Sequence, residues 1–214
     1  QIGQERSQYR MNLLIASIIR GEDLFVPSAR DSIMEGDILY IITLEEEVKQ
    51  VVQYLCGQQE EIKNVAILGG SNVGYYLARI IEQKKFDVKL IEPDARRAEF
   101  LSEMLSGTLV LKGEILDRAI CDIEGIYKSD VFVATTADQE ENIIATLYAK
   151  SKGVKTGICM LTRGPITALV KKIGVDICLN SQQVAIGKIL EYIRKGTIGS
   201  VVLLNRNDIE VIEA

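Results

Sequence analysis

The sequence predicts an α/β protein with a doubly wound, six-stranded parallel sheet preceded by a small β-rich α+β lobe. Three observations carry that expectation. From Ile62 onward, short apolar runs alternate with amphipathic helical segments; a glycine-rich turn joins the first such run to the first such helix; and before Ile62 the apolar runs are separated by polar turns. A length of 214 residues with 47% hydrophobic content suits one full α/β domain with a smaller lobe beside it.

The small lobe is placed at residues 1–57. Between 13 and 42 its apolar runs are broken by Arg20-Gly21-Glu22-Asp23 and Glu35-Gly36-Asp37, both good turn sequences, and Pro27 confines one strand to an edge. Val48, Val51, Val52 and Leu55 then take helical spacing, and Gly57 to Glu61 ends the pattern. The larger domain is placed at 62–196, with strands at Val65–Leu68, Val88–Ile91, Thr108–Leu111, Val131–Ala134, Thr156–Leu161 and Val175–Leu179. Its helices carry apolar stripes such as Val73, Leu77, Ile80 and Ile81, or Ala98, Leu101 and Leu105. A last helix is expected over Ser181–Lys195, with Ile186, Ile189, Leu190 and Ile193 on one face; Gly196 ends it, and residues 197–214 open a further β segment.

Composition narrows the function. A net charge of -5 and a pI near 5.0 argue against nucleic-acid binding, since no Lys/Arg cluster supplies a phosphate-facing surface. No apolar run approaches the roughly 20 residues of a membrane-spanning helix. Cys56, Cys121, Cys159 and Cys178 are widely spaced and read as reduced core residues of a cytosolic protein. Histidine is absent, which removes the commonest general base and metal ligand. Neither a catalytic residue nor a metal site is expected. The chain opens on Gln1 rather than Met, and a fragment of a longer polypeptide is expected.

The chemistry concentrates at the carboxyl ends of the strands, where ligands of such sheets bind. Gly69-Gly70-Ser71-Asn72-Val73-Gly74 follows the first strand and opens the first helix, the context of the dinucleotide fingerprint. Gly69 makes the tight turn, Gly74 lets helix and strand approach, and the helix-start N–H groups point at an anionic phosphate. Ser71 replaces the middle glycine; its Cβ would crowd a pyrophosphate, and its hydroxyl could donate to one. Glu92 ends the second strand 18 residues after Gly74, where a carboxylate accepts ribose hydroxyls and disfavours a 2′-phosphate, with Asp94 close enough to compete for the role. After strand three, Gly113, Glu114 and Ile115 stand where an adenine edge is addressed. After strand four, Thr135, Thr136 and Asp138 form a polar turn that also suits helix capping, and after strand five Arg163 reads either as a phosphate ligand or as a surface residue.

In order and separation, these segments resemble the RCK (regulator of K+ conductance) family, in particular the TrkA-like subunits of bacterial and archaeal potassium uptake systems. The stretches that carry the likeness are Gly69 to Gly74, Val88 to Glu92, Gly113-Glu114, Thr135 to Asn142 and Arg163-Gly164-Pro165. The resemblance implies a Rossmann-like lobe that binds NAD(H) or ATP/ADP, with Gly69, Ser71, Asn72 and Val73 along the phosphates and Gly70 and Gly74 also among the cofactor-binding residues. Glu92 would take the ribose, Gly113, Glu114 and Ile115 the adenine, and Asp138 and Arg163 the far phosphates, with Thr135 and Thr136 also among the cofactor-binding residues. Glu114 departs from the Asp usual there. The resemblance further implies a non-enzymatic gating subunit that forms dimers and rings. It would sit at the cytoplasmic face of the membrane through a membrane-embedded potassium channel or transporter. Residues 1–57 would then be the small C-terminal-type lobe of a preceding half. The alternatives are an NAD-dependent oxidoreductase fragment and a structural Rossmann lobe without ligand.

Overall fold

The computed structural model describes residues 12–21, 23–57, 61–115, 117–162, 166–194, 200–204 and 209–213. They belong to two compact units, the first ending at Glu61 and the second beginning at Ile62.

In the first unit, β1 (Leu13–Arg20), β2 (Asp23–Phe25) and β3 (Ile38–Thr43) form an antiparallel sheet in the order β2-β1-β3, followed by α1 (Val48–Cys56). β2 is short and lies at the edge, as Pro27 two residues beyond it requires. The turn before β3 is clamped by Arg20, whose Nε and Nη2 donate to the two Asp37 carboxylate oxygens at 2.9 and 2.8 Å. Those hydrogen bonds hold the Asp37 carboxyl down at about 2. Cys56, expected in a core, is instead exposed: it ends α1 on the side away from buried Val51.

The second unit contains β4 (Asn64–Leu68), α2 (Asn72–Ile81), β5 (Asp87–Glu92), α3 (Ala95–Met104), β6 (Thr108–Lys112), α4 (Arg118–Ile123), β7 (Val131–Ala134), α5 (Gln139–Ser151), β8 (Thr156–Leu161), α6 (Thr167–Lys172), β9 (Ile177–Asn180) and α7 (Ser181–Arg194). Its six strands are all parallel, in the order β6-β5-β4-β7-β8-β9. This is the doubly wound arrangement, with the chain reversing direction across the sheet between β4 and β7. A separate antiparallel pair, β10 (Ser200–Leu204) and β11 (Ile209–Glu213), follows.

Strand periodicity assigns the two faces. Val65, Ile67, Val88, Leu90, Val131 and Val133 point to one side, where Tyr75 and Ala78 of α2 and Leu101 and Leu105 around the end of α3 cover them. Ala66, Leu68, Ile91, Phe132, Ala134, Cys159 and Leu161 point to the other, against Cys121, Ala145, Ala149 and Val170 from α4, α5 and α6. Two expectations need correction. The buried stripe of α2 is Gly74, Tyr75 and Ala78, with Val73 and Ile80 exposed; at Gly74 the helix lies so close to the β4 turn that even a Cβ would meet the Gly69 carbonyl oxygen. The last strand begins at Ile177, since Val175 is a loop residue driven into the core after a turn at Gly174 with φ +115°.

Candidate functional site

Three glycines bring the β4–α2 turn, β5 and β7 into contact. Gly69 has φ +95°, in the region that side chains disfavour, and its N–H donates to the Ile91 carbonyl at 2.9 Å. A Cβ there would lie 2.9 Å from the backbone nitrogen of Thr136. A Cβ on Gly74 would lie 2.0 Å from the Gly69 carbonyl oxygen, and one on Gly70 2.2 Å from Leu101 Cδ1 and 2.9 Å from Glu92 Oε2. Ser71 caps α2: its hydroxyl accepts the Gly74 N–H at 3.3 Å and donates to the Thr135 carbonyl at 2.8 Å. The serine in place of glycine is thus held by the protein itself, stitching the turn to β7. The N–H groups of Asn72 and Val73, in the first turn of α2, lack i−4 acceptors by the geometry of a helix start and carry the positive end of its dipole.

Glu92 is 9% exposed, and each of its carboxylate oxygens accepts one backbone N–H: Oε2 from Gly70 at 2.7 Å and Oε1 from Asp94 at 2.9 Å. No cation among the described residues pairs with it. A carboxylate offers about four lone-pair positions. After these two bonds, one acceptor position per oxygen remains for a pair of adjacent hydroxyls. Asp94 is engaged differently: its carboxylate accepts the Arg97 N–H at 2.8 Å and caps α3. The backbone of Glu92 also reaches the next turn, its carbonyl accepting the Gly113 N–H at 3.1 Å.

The loop after β6 is held from beneath. Ile115 is buried, and its carbonyl accepts the Tyr127 hydroxyl at 2.6 Å and the Cys121 thiol at 3.4 Å. Burial pushes the Tyr127 hydroxyl well above the usual phenol range, so it stays a donor. Glu114 is exposed, and its carbonyl closes a turn onto the Asp117 N–H at 3.0 Å.

After β7, the buried Thr135 hydroxyl lies 3.0 Å from the carbonyls of Leu68 and Gly69, to which it donates. Asp138 caps α5, accepting the Glu141 N–H at 3.0 Å, and this bond holds its carboxyl below the ordinary range. Its side chain is therefore engaged in capping. Gly69, Gly70, Ser71, Gly74, Glu92, Gly113, Thr135 and Thr136 are linked by direct contact; Ile115 and Asp138 lie on the adjoining turns. Arg163 lies outside the described residues.

Sequence reading missed four residues that shape this edge. Arg97 Nε donates to the Gly70 carbonyl at 2.7 Å, with its guanidinium over the Phe100 ring. Tyr127 anchors the β6 loop as above. Asn142 and Gln139, on the inward face of α5, are 1% and 5% exposed. A signal for the last pair was present: Gln139, Asn142 and Thr146 recur at i, i+3 and i+7, a polar row on the face that also carries Ala145 and Ala149.

The family model for the TrkA-N domain matches residues 65–181. Among curated relatives, the Trk system potassium uptake protein TrkA of Vibrio alginolyticus is 32% identical over 200 residues, covering 94% of this chain and 43% of its own length. That of Haemophilus influenzae is 34% identical over 199 residues, covering 93% and 43%. The chain spans less than half the length of these relatives. Among solved structures, the GsuK RCK domain superposes with a TM-score of 0.64 at 19% identity, over 92% of this chain and 42% of that one. The TrkA-N domain of the inner membrane protein ybaL from Escherichia coli gives 0.56 at 15% identity, over 64% of this chain and all of that one. At such identities the superpositions speak for the fold.

Proposed function

The chain belongs to the TrkA-N domain family, and on that premise we propose that it is part of a regulatory subunit of a potassium uptake system, binding NAD(H) at the carboxyl edge of its six-stranded sheet without transforming it. One observation carries this reading: Glu92, buried against the glycine turn, keeps two acceptor positions beside a helix start whose N–H groups await an anion. That pairing fits an adenosine ribose and its phosphates. A GsuK channel solved with NAD bound supports the dinucleotide; ATP or ADP would occupy the same adenosine half. In this reading Gly69 to Gly74 line the phosphates, Glu92 the ribose and Gly113 to Ile115 the adenine. The Thr135 to Asp138 turn, with Arg163, takes the distal groups.

Residues 1–57 act as a small regulatory lobe and 62–196 as the sensor, working as a homo-oligomer against a membrane-embedded potassium-transporting partner at its cytoplasmic face. A nucleotide shifts such an assembly only by its difference in affinity between states, on the order of 1–3 kcal/mol. Potassium flux through the partner, reconstituted with the full-length subunit, is expected to change on adding NADH and to lose that response in Glu92→Ala. A flux indifferent to NADH and to ATP would refute the regulatory role.

A further inference from the structure

Burying an amide side chain is unfavourable unless all its donors and acceptors find partners. The first turn of α5 buries two, and both are turned toward main chain of neighbouring strands. Asn142 uses its full capacity. Its Oδ1 accepts the Thr136 N–H and hydroxyl, each at 2.9 Å, while Nδ2 donates to the carbonyls of Thr136 at 3.1 Å and Met160 at 3.0 Å. Gln139 accepts the Thr162 N–H at 3.3 Å and the Thr162 hydroxyl at 3.0 Å. Thr136 follows β7, Met160 is in β8 and Thr162 follows β8. The two amides therefore fasten the carboxyl ends of β7 and β8 to one helix turn. They also set the Thr136 backbone, against which Gly69 fits only because it lacks a Cβ.

In a doubly wound sheet a dinucleotide straddles the point where strand order reverses, one half over each set of strands. Here that point lies between β4 and β7. The glycine turn, Glu92 and the β6 loop serve the adenosine half, and the β7 and β8 ends face the other half. We propose that Gln139 and Asn142 are positioning residues for the second half of the dinucleotide, fixing the β7 and β8 termini so that the site distinguishes NADH from a mononucleotide. This rests on the nucleotide reading above.

The test is a calorimetric titration of NADH and of AMP into the wild-type chain, Asn142→Asp and Gln139→Met. Asp keeps the shape of Asn and loses both donors to carbonyls; Met keeps the length of Gln and leaves Thr162 unpartnered. NADH affinity is expected to fall about tenfold or more in each variant, equivalent to about 1.4 kcal/mol, while AMP affinity changes by less than about threefold. Should Asn142→Asp fail to fold, Gln139→Met carries the same comparison. Hydrogen exchange on wild type adds a second readout: NADH is expected to slow the Thr136 and Thr162 amides, and AMP to leave them unchanged. Equal losses for the two ligands would mark a merely structural role and overturn the inference, as would unchanged NADH binding in the variants. A wild-type chain that takes up AMP but not NADH overturns the inference alone, whereas one that takes up neither overturns the nucleotide reading as well.

Discussion

The β4–α2 and β7–α5 turns sit side by side at the same edge of one sheet, and they are built by opposite means. In the first, side chains are left out: Gly69, Gly70 and Gly74 each occupy a place where a Cβ would meet a neighbour at 2.9 Å or less. In the second, side chains are put in: Thr135, Gln139 and Asn142 are buried and hydrogen-bond to main chain of the neighbouring turns and strands. The caps differ likewise, a neutral Ser71 hydroxyl on α2 and an ionised Asp138 on α5. Close approach to a ligand can thus be secured by removing atoms or by locking a loop with amides, and the two methods fail differently.

The largest effect is expected from Gly74→Ala. Its new methyl would stand 2.0 Å from a main-chain carbonyl that no rotamer change can move aside. A loss of about 3 kcal/mol or more in urea unfolding is anticipated. Gly70→Ala, which meets the end of the Leu101 side chain, should lose clearly less; equal losses would mean that the first turn is not limited by main chain. On the other turn, Asn142→Leu keeps the branched outline in a somewhat larger side chain and strands the Thr136 amide with two carbonyls, for an expected loss of about 2–3 kcal/mol by the same measurement. A near-neutral result would show that water or a shifted loop satisfies those groups, and the contrast between the turns would dissolve.

Glu92→Gln tests the proposed junction of NAD(H) with the first turn. Oε1 and Oε2 each hold one backbone N–H, and a neutral amide can satisfy only one of them while bringing donors of its own. NADH affinity by calorimetry should fall about tenfold, roughly 1.4 kcal/mol. The caps give the smallest effects. Ser71→Ala should lose about 1 kcal/mol at any pH. The Asp138 carboxyl, held low by the Glu141 N–H, stabilises α5 fully above its unfolded value of about 3.9. That contribution fades as pH falls through the lowered folded value. Thermal melts from pH 7 down to pH 3 should therefore show wild type losing more stability than Asp138→Asn, and Ser71→Ala tracking wild type in parallel.

The same contrast explains what could be read from sequence. Val65 and Ile67 against Ala66 and Leu68 set the two faces of β4, and successive strands repeat the pattern, so the parallel sheet is legible in the sequence. The glycine turn was visible because an absent side chain leaves a motif. α2 was misread in part: a rule that seeks large apolar residues on the buried face passes over Gly74 and Ala78, which lie there because the helix sits close to the sheet. Gln139 and Asn142 invert the expectation that inward positions are apolar, and two of their partners, Met160 in β8 and Thr162 just after it, lie far away in sequence. Arg97 was hidden for a similar reason, since its acceptor is a carbonyl in the glycine turn and not a neighbour in sequence. Val175 shows the converse error, a buried loop residue that imitates a strand.

Amide hydrogen exchange of the wild-type chain, with and without saturating NADH, tests most directly whether the ligand meets this edge. Slowed exchange is predicted at Gly70 to Gly74, at Gly113 to Ile115 and at Thr136, with no change at Lys63 and Asn64, whose N–H groups donate to Asp130 at the opposite end of the sheet. Unchanged exchange throughout, or protection centred on Lys63 and Asn64, would contradict it.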